Sequence, residues 1–260
     1  MTPRSKTIRL SALILVAVGA IIAILFVPAI PQPQDYHRFA DGREFLGVPN
    51  FWNVFSNLPF LFAGIAGVAI VFHNRYLGGL AELRTHYALF FASVALVCFG
   101  SGYYHWTPNN ATLVWDRLPM AVAFMSLLAI VWGEHIGTRP AKIALWPLVL
   151  IGIASVWYWH YTEKISRGDL RAYGLVQFLT LALIALVLVL FPSRLRGAGY
   201  LWCMFIGYVI AKLFEEFDGQ VYDALGQVIS GHSLKHVIAA ISLWIFALAL
   251  KRRRLRGMQT

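Results

Sequence analysis

Long uncharged apolar runs recur along nearly the whole of this 260-residue chain. A helix needs about 20 apolar residues to cross the hydrocarbon core of a bilayer. The runs near 9–29, 53–72, 87–106, 112–132, 142–160, 173–191, 198–214 and 232–250 are of that order. Backbone N–H and C=O groups in lipid must be satisfied internally, which leaves a helix bundle as the architecture. The sequence therefore predicts an all-α integral membrane protein with eight crossings. Only 13% of residues are charged and 59% are hydrophobic, where a soluble domain carries about a quarter charged. No stretch remains for a sizeable soluble domain or a flexible linker.

The net charge of +10 is placed as insertion topology requires, not as a nucleic-acid surface. With both termini inside, Arg4, Lys6, Arg9, Arg75, Arg84, Arg139, Lys142, Arg194 and Arg196 fall on the inner side, with the tail residues Lys251, Arg252, Arg253, Arg254 and Arg256. Only Glu82 and Glu134 join them, whereas Asp35, Asp41, Glu44, Glu163, Asp169, Glu215, Glu216, Asp218 and Asp223 fall outside. Basic residues concentrate in cytoplasmic loops, so this bias predicts cytoplasmic termini and supports the count of crossings. It leaves no role for nucleic acid as a partner. The tail directly follows an apolar run and reads as a stop-transfer anchor at an anionic inner leaflet. At the other end, Arg4, Lys6 and Arg9 precede an apolar run ending near a cleavage-like Val27-Pro28-Ala29. That run exceeds a signal-peptide core, so a retained helix is expected. Cys98 and Cys203 lie inside apolar runs and read as small packing residues.

Five polar residues stand where apolar segments meet loops: Ser101 and His105 in GSGYYHWT, Asp116 in VWDRLPM, and His232 and His236 in SGHSLKHV. Counting crossings puts all five at the outer face. His105 closes the third segment, and Thr107-Pro108-Asn109-Asn110 turns the chain back, with Asn110 as the expected helix cap. Asp116 then lies about 9 Å into the fourth helix. Four further crossings return the chain to the same face, where the eighth segment begins. His232 and His236 are four apart, as are Ser101 and His105, so each pair shares a helical face. Two imidazoles from one helix and a third from another make a catalytic zinc set with one position open for water. Asp116 is then the candidate general base and acid, and Ser101 the candidate oxyanion donor.

Each residue also has a plainer role. A histidine at a helix end commonly snorkels to the head groups, and His37, His73, His86, His135 and His160 are read that way. Asp116 is costly inside a membrane helix unless it faces a polar interior, and it could pair with Arg117 or Lys235. Ser101 could be a packing hydroxyl, as could Asn53, Ser56 and Asn57, which could instead orient the metal ligands. One of Glu215, Glu216, Asp218 and Asp223 could support a ligating imidazole. Trp157, Tyr158, Trp159, Tyr161, Tyr103, Tyr104 and Trp106 read as interfacial anchors, some of them lining a lipid entrance. Rival readings of the set are a receptor with structural zinc, a haem carrier using His105 and His232, and a transporter with Asp116 as proton relay. Nothing in the sequence specifies an oligomeric state.

Taken together, Ser101-x-x-x-His105, Asp116 in Asp116-Arg117-Leu118-Pro119-Met120, and His232-x-x-x-His236 resemble the alkaline ceramidase family, within a wider group that includes adiponectin-receptor-like proteins. Asn53-x-x-Ser56-Asn57 is similar to a motif on that family's first core helix. The resemblance implies zinc on His105, His232 and His236, with Asp116 activating water and Ser101 donating to the oxyanion. It implies hydrolysis of a ceramide-like lipid, drawn from the bilayer, to a sphingoid base and a fatty acid. The implied division is an N-terminal helix (1–30), a seven-helix hydrolase core (31–250) and a basic tail (251–260). The family's calcium stretch is partly matched by Asp35, Asp41, Glu44 and Asn50, with Asn50 standing where the family has Glu. Calcium is one reading of this stretch, and a solvated acidic loop is the other.

Overall fold

The computed structural model describes residues 2–73, 78–197 and 199–255. Eight long helices account for the eight apolar segments: α1 (Pro3–Leu25), α2 (Phe51–His73), α3 (Arg84–Trp106), α4 (Asn110–His135), α5 (Thr138–Lys164), α6 (Arg171–Leu190), α7 (Gly199–Glu216) and α8 (Gly231–Arg252). By length and composition, seven of these could cross a membrane. The exception, α7, carries Lys212, Glu215 and Glu216 near its end but still packs along α8. The protein is an all-α, multi-pass integral membrane protein. Arg75 and Arg256 lie outside the described residues.

Helices α2, α3 and α4 pack side by side, α4 meets α6, α6 meets α7 sparsely, and α8 joins α7 back to α2. This closes a ring. Helix α5 lies outside it against α4, and α1 lies outside it against α6. No α1 residue is buried. The ring encloses a cavity of about 880 Å³, whose open flank is covered by Val16, Ala20, Ala23, Ile24 and Val27 of α1. Phe62, Ile65, Leu96, Phe99, Leu150 and Ile151 point outward. In water such side chains would form an adhesive patch, but in a bilayer they face lipid.

One close approach sets the register of α3 against α4. Pro119 lies inside α4 and has no N–H to donate to the carbonyl of Trp115, four residues earlier. That carbonyl oxygen sits over Gly100, where any Cβ would overlap it. Glycine at 100 therefore lets the backbones touch and brings its neighbour Ser101 against Asp116. The cap of α4 is Asn109, not the expected Asn110. Asn109 accepts from the backbone of Ala111 and Thr112, and the Thr112 hydroxyl accepts from the Asn109 N–H. Asn110 is used elsewhere, by His37 and Glu163.

The far end of the bundle is held by a buried ion pair. Arg253 donates twice to the Glu134 carboxylate, both at 2.7 Å, and once to the Gly78 carbonyl. The Tyr87 hydroxyl donates to the same carboxylate at 2.6 Å. Both Arg253 and Glu134 side chains are fully buried. This corrects the reading of the tail as a uniform leaflet anchor: Arg253 turns inward and ties α8 to α3 and α4. His86 and His135, read as snorkelling side chains, are also buried, and they bond to the carbonyls of Ala141 and Phe191. Trp159 and Tyr104, read as interfacial, are almost completely buried, whereas Trp157, Tyr158, Tyr161, Tyr103 and Trp106 are exposed as anchors should be.

At the site end, Asp169 locks the α5–α6 loop. Its carboxylate accepts from Arg171 at 2.7 and 2.9 Å and from the Tyr158 hydroxyl at 2.9 Å. Arg171 also donates to the Val27 carbonyl, and the Leu170 N–H donates to Ile30. The chain leaving α1 is thereby fixed to this loop.

Two outcomes follow. Glu134→Ala leaves the Arg253 guanidinium buried and unpaired, and should cost about 3–5 kcal/mol; the Glu134→Ala, Arg253→Leu double variant should recover part of it, read by thermal unfolding in detergent. The Arg171 guanidinium holds the Asp169 carboxyl at about 2, below an unfolded value of about 3.9. Its stabilisation is therefore complete above the unfolded value and lost as pH falls through the folded one. The midpoint difference between wild type and Asp169→Asn should shrink as pH is lowered from about 5 to about 2.

Candidate metal centre

The N-terminus of α8 is positioned by its neighbours. Ser230 caps it, accepting from the Ser233 N–H at 3.2 Å. Asn53 of α2 accepts from the Ser233 hydroxyl at 2.8 Å and donates to the Asp41 carbonyl. Asp218, in a short helix before α8, accepts from the His232 N–H at 2.6 Å and from the Ala40 N–H at 2.9 Å. Gly231 lets α8 begin against the Phe214 carbonyl and Asp218, where a Cβ would collide. These contacts fix where His232 and His236 enter the bundle.

His105, His232 and His236 converge from α3 and α8. One nitrogen of each lies within 4.8 Å of the others, and all three residues are buried. The Nε2 atoms of His105 and His232 are 3.3 Å apart. Tetrahedral zinc bonds of about 2.0–2.1 Å place ligand nitrogens roughly 3.3–3.4 Å apart, so this pair already has the required spacing. Imidazole nitrogens crowded this way in an apolar setting suit a cation better than protons on all three rings. The rings are shielded by Phe39, whose centroid lies 4.7 Å from both His105 and His232, and by Phe60 near His236. The set fits a zinc ion. Among the described residues it is the only group of three or more His, Cys, Asp or Glu so arranged.

The remaining ring nitrogens are treated unequally. His236 Nδ1 lies 2.8 Å from the Ser56 hydroxyl, which leaves its Nε2 for a metal. Ser56 is thus the partner of an imidazole, the role weighed above for the acidic residues before α8. Asn57 donates to the Asn53 carbonyl and holds the break in α2 that presents Ser56. His105 Nδ1 is buried with no hydrogen-bond partner among the described residues, while its carbonyl accepts from Asn50 at 3.0 Å.

Ser101 and Asp116 are side-chain neighbours, and both line the large cavity together with His236. All five sequence-selected residues are therefore at one end of the bundle, the histidines as a cluster and Ser101 with Asp116 beside it. Asp116 makes no ion pair with Arg117 or Lys235. Lys235 instead pairs with Glu215, which also binds Lys212. The Tyr36 hydroxyl donates to Glu215 at 3.4 Å.

The acidic loop is organised by arginines. Asp41 is paired with Arg43 at 2.7 Å, and exposed Asp35 with Arg38. Asn50 adopts a left-handed conformation at φ 49°, which asparagine tolerates better than most residues, and spends its amide on His105. Asp35, Asp41 and Asn50 are three of the four residues considered for calcium, and their partners here are guanidinium and backbone groups.

Ser56 carried a sequence signal: it belongs to the motif weighed as orienting the metal ligands, and it lies 2.8 Å from His236 Nδ1. Gln32 carried none; its amide oxygen accepts from Arg117 at 2.6 Å.

No curated relative matches the chain. The ceramidase family model matches residues 47–257, a span that contains α2 to α8, all three histidines, Ser101 and Asp116. On that match the chain belongs to the ceramidase family, hydrolases that cleave the amide bond of ceramide.

Proposed function

We propose that this protein is a zinc-dependent amidase that cleaves the N-acyl linkage of ceramide-like lipids within the bilayer. The observation that carries this is spatial: three buried imidazoles gather next to a serine–aspartate pair, and that pair opens on a large apolar cavity. His105, His232 and His236 hold the metal. A bound zinc acts as a Lewis acid and lowers the pKa of a water molecule toward about 7. Asp116 accepts the proton of the attacking water and passes it to the departing amine. Ser101, beside Asp116, directs its hydroxyl to the developing oxyanion. Ser56 keeps the His236 ring in one tautomer and orientation.

The cavity suits long acyl chains. Its walls are Phe90, Val94, Val97, Phe124, Leu127 and neighbours, and its weakest flank is the sparse α6–α7 seam beside α1. A substrate already dissolved in the membrane enters sideways without exposing its tails to water. The charge bias along the chain supports cytoplasmic termini and chemistry near the outer leaflet.

A receptor with structural zinc on the same scaffold is the competing reading. It gives Asp116 and Ser101 no purpose at the cavity wall, although polar groups there are costly.

The test is amine release from a long-chain ceramide in mixed micelles, with zinc measured on the same samples. Wild type should turn over. Asp116→Asn should retain zinc but lose at least about 100-fold in kcat, the range for a general acid–base. Zinc binding without turnover in wild type would support the receptor instead. Ser56→Ala should weaken zinc about 10- to 100-fold, as lost partners of ligating imidazoles do, in a chelator competition titration. Unchanged zinc affinity would remove Ser56 from the site.

A further inference from the structure

Arg117 is the one buried cation lining the cavity that forms no ion pair with a carboxylate among the described residues, although its charge is felt by its chain neighbour Asp116. It is 6% exposed. Arg253 is bound to Glu134, and Lys235 and Lys212 are bound to Glu215. Arg117 makes no such pair. One of its terminal nitrogens donates to the neutral Gln32 side chain at 2.6 Å. The other, Nη1, is buried with no hydrogen-bond partner. An unmet donor on a charged group in an apolar setting costs free energy, and ionisable groups at membrane depth are normally retained for a ligand or a pathway.

Its surroundings hold the cation without neutralising it. The guanidinium carbon lies 4.1 Å from the Trp159 ring centroid, 4.8 Å from Tyr173 and 5.8 Å from Tyr36. Aromatic faces attract a cation electrostatically but accept little of its hydrogen-bonding capacity. Glu163 is held by side chains that flank Arg117, and its oxygens are occupied by the Gln32 N–H, the Trp159 indole and the Asn110 amide; Asp116 interacts with the guanidinium electrostatically but not as an ion pair. The cage therefore fixes the guanidinium plane and leaves one donor edge open. Arg117, Tyr36 and Tyr173 all line the same cavity as Asp116 and Ser101. Since Arg117 follows Asp116 on the helix, it projects about 100° round from it. It addresses a part of the ligand other than the reacting amide.

We infer that Arg117, in its cage of Trp159, Tyr173 and Tyr36, is a head-group subsite that donates to an oxygen on the polar end of the lipid amide. Arginine has donors only, so the matching group is an acceptor: a head hydroxyl, or the anionic phosphate ester of that hydroxyl. The phosphate accepts a charge-assisted bond at the open donor edge. This inference rests on the reading of the cavity as a lipid-amide site, though not on turnover there.

Binding is therefore measured, in the Asp116→Asn background, by displacement of a fluorescent ceramide. Three competitors with identical chains are compared: ceramide, 1-deoxyceramide and ceramide 1-phosphate. With Arg117 intact, removal of the head oxygen should weaken binding about 10- to 100-fold, the range for a hydrogen bond to a charged donor. Arg117→Met should bring hydroxylated and deoxy competitors to within about twofold, and Arg117→Lys should keep part of the discrimination, most of all for the phosphate. Equal binding of oxygenated and deoxy competitors to the Arg117 protein overturns the inference, and so does full discrimination surviving in Arg117→Met. If Arg117→Met does not fold, as judged by zinc content and thermal unfolding, the comparison of Arg117 with Arg117→Lys decides alone. Head-group selectivity in a protein that never releases amine would sink the hydrolase reading and leave the subsite standing.

Discussion

Three imidazole rings forced to within a few ångströms of one another, away from water, are the constraint that organises this end of the molecule. Crowded ring nitrogens repel unless a proton or a cation sits between them. Everything around them limits their escape. Ser56 pins one ring, Phe39 covers two others, and Asp218 and Asn53 fix the start of α8 that supplies two of the three. A site so determined by its surroundings is prepared for a metal before the metal arrives, which is what preorganisation for catalysis requires.

The architecture follows from how helices can approach in lipid. Without a hydrophobic drive between apolar surfaces, close packing needs small residues and freed carbonyls. Gly100 beneath the Trp115 carbonyl, which Pro119 leaves unbonded, is such a contact. It couples the helix-breaking residue of the Asp-Arg-Leu-Pro-Met stretch to the meeting of Ser101 with Asp116. The far end is tied differently, by the buried Arg253–Glu134–Tyr87 group, roughly 27 Å from Asp116 along α4. The far end is thus closed by a buried ion pair, while the ion pairs of the site end surround a cavity. Between them lies the cavity, flanked by the loosely docked α1.

The helices were legible because lipid imposes length and composition on each span, and all eight apolar runs became helices. The gathering of His105, Asp116, His232 and His236 was legible from counting crossings. Partnerships across the bundle were not. Arg253 reads as one more tail cation, since its partner Glu134 lies 119 residues away and nothing local marks either as buried. Ser56 was visible as part of a polar motif, but only the break in α2 aims it at His236. Acidic residues drew attention as imidazole partners because carboxylates commonly serve so, yet Asp218 holds the His232 backbone instead. The π-helical turn at Leu175–Leu179, which brings Gln177 to the Tyr208 hydroxyl, leaves no periodicity signal in a uniformly apolar run.

The most direct measurement is X-ray absorption at the zinc edge on purified wild-type protein. The account predicts a first shell of three imidazole nitrogens and one oxygen donor at about 2.0–2.1 Å, with the imidazole scattering reduced in His232→Ala. A sulfur-containing shell would contradict it, as would a stoichiometric zinc whose spectrum is unchanged by that substitution.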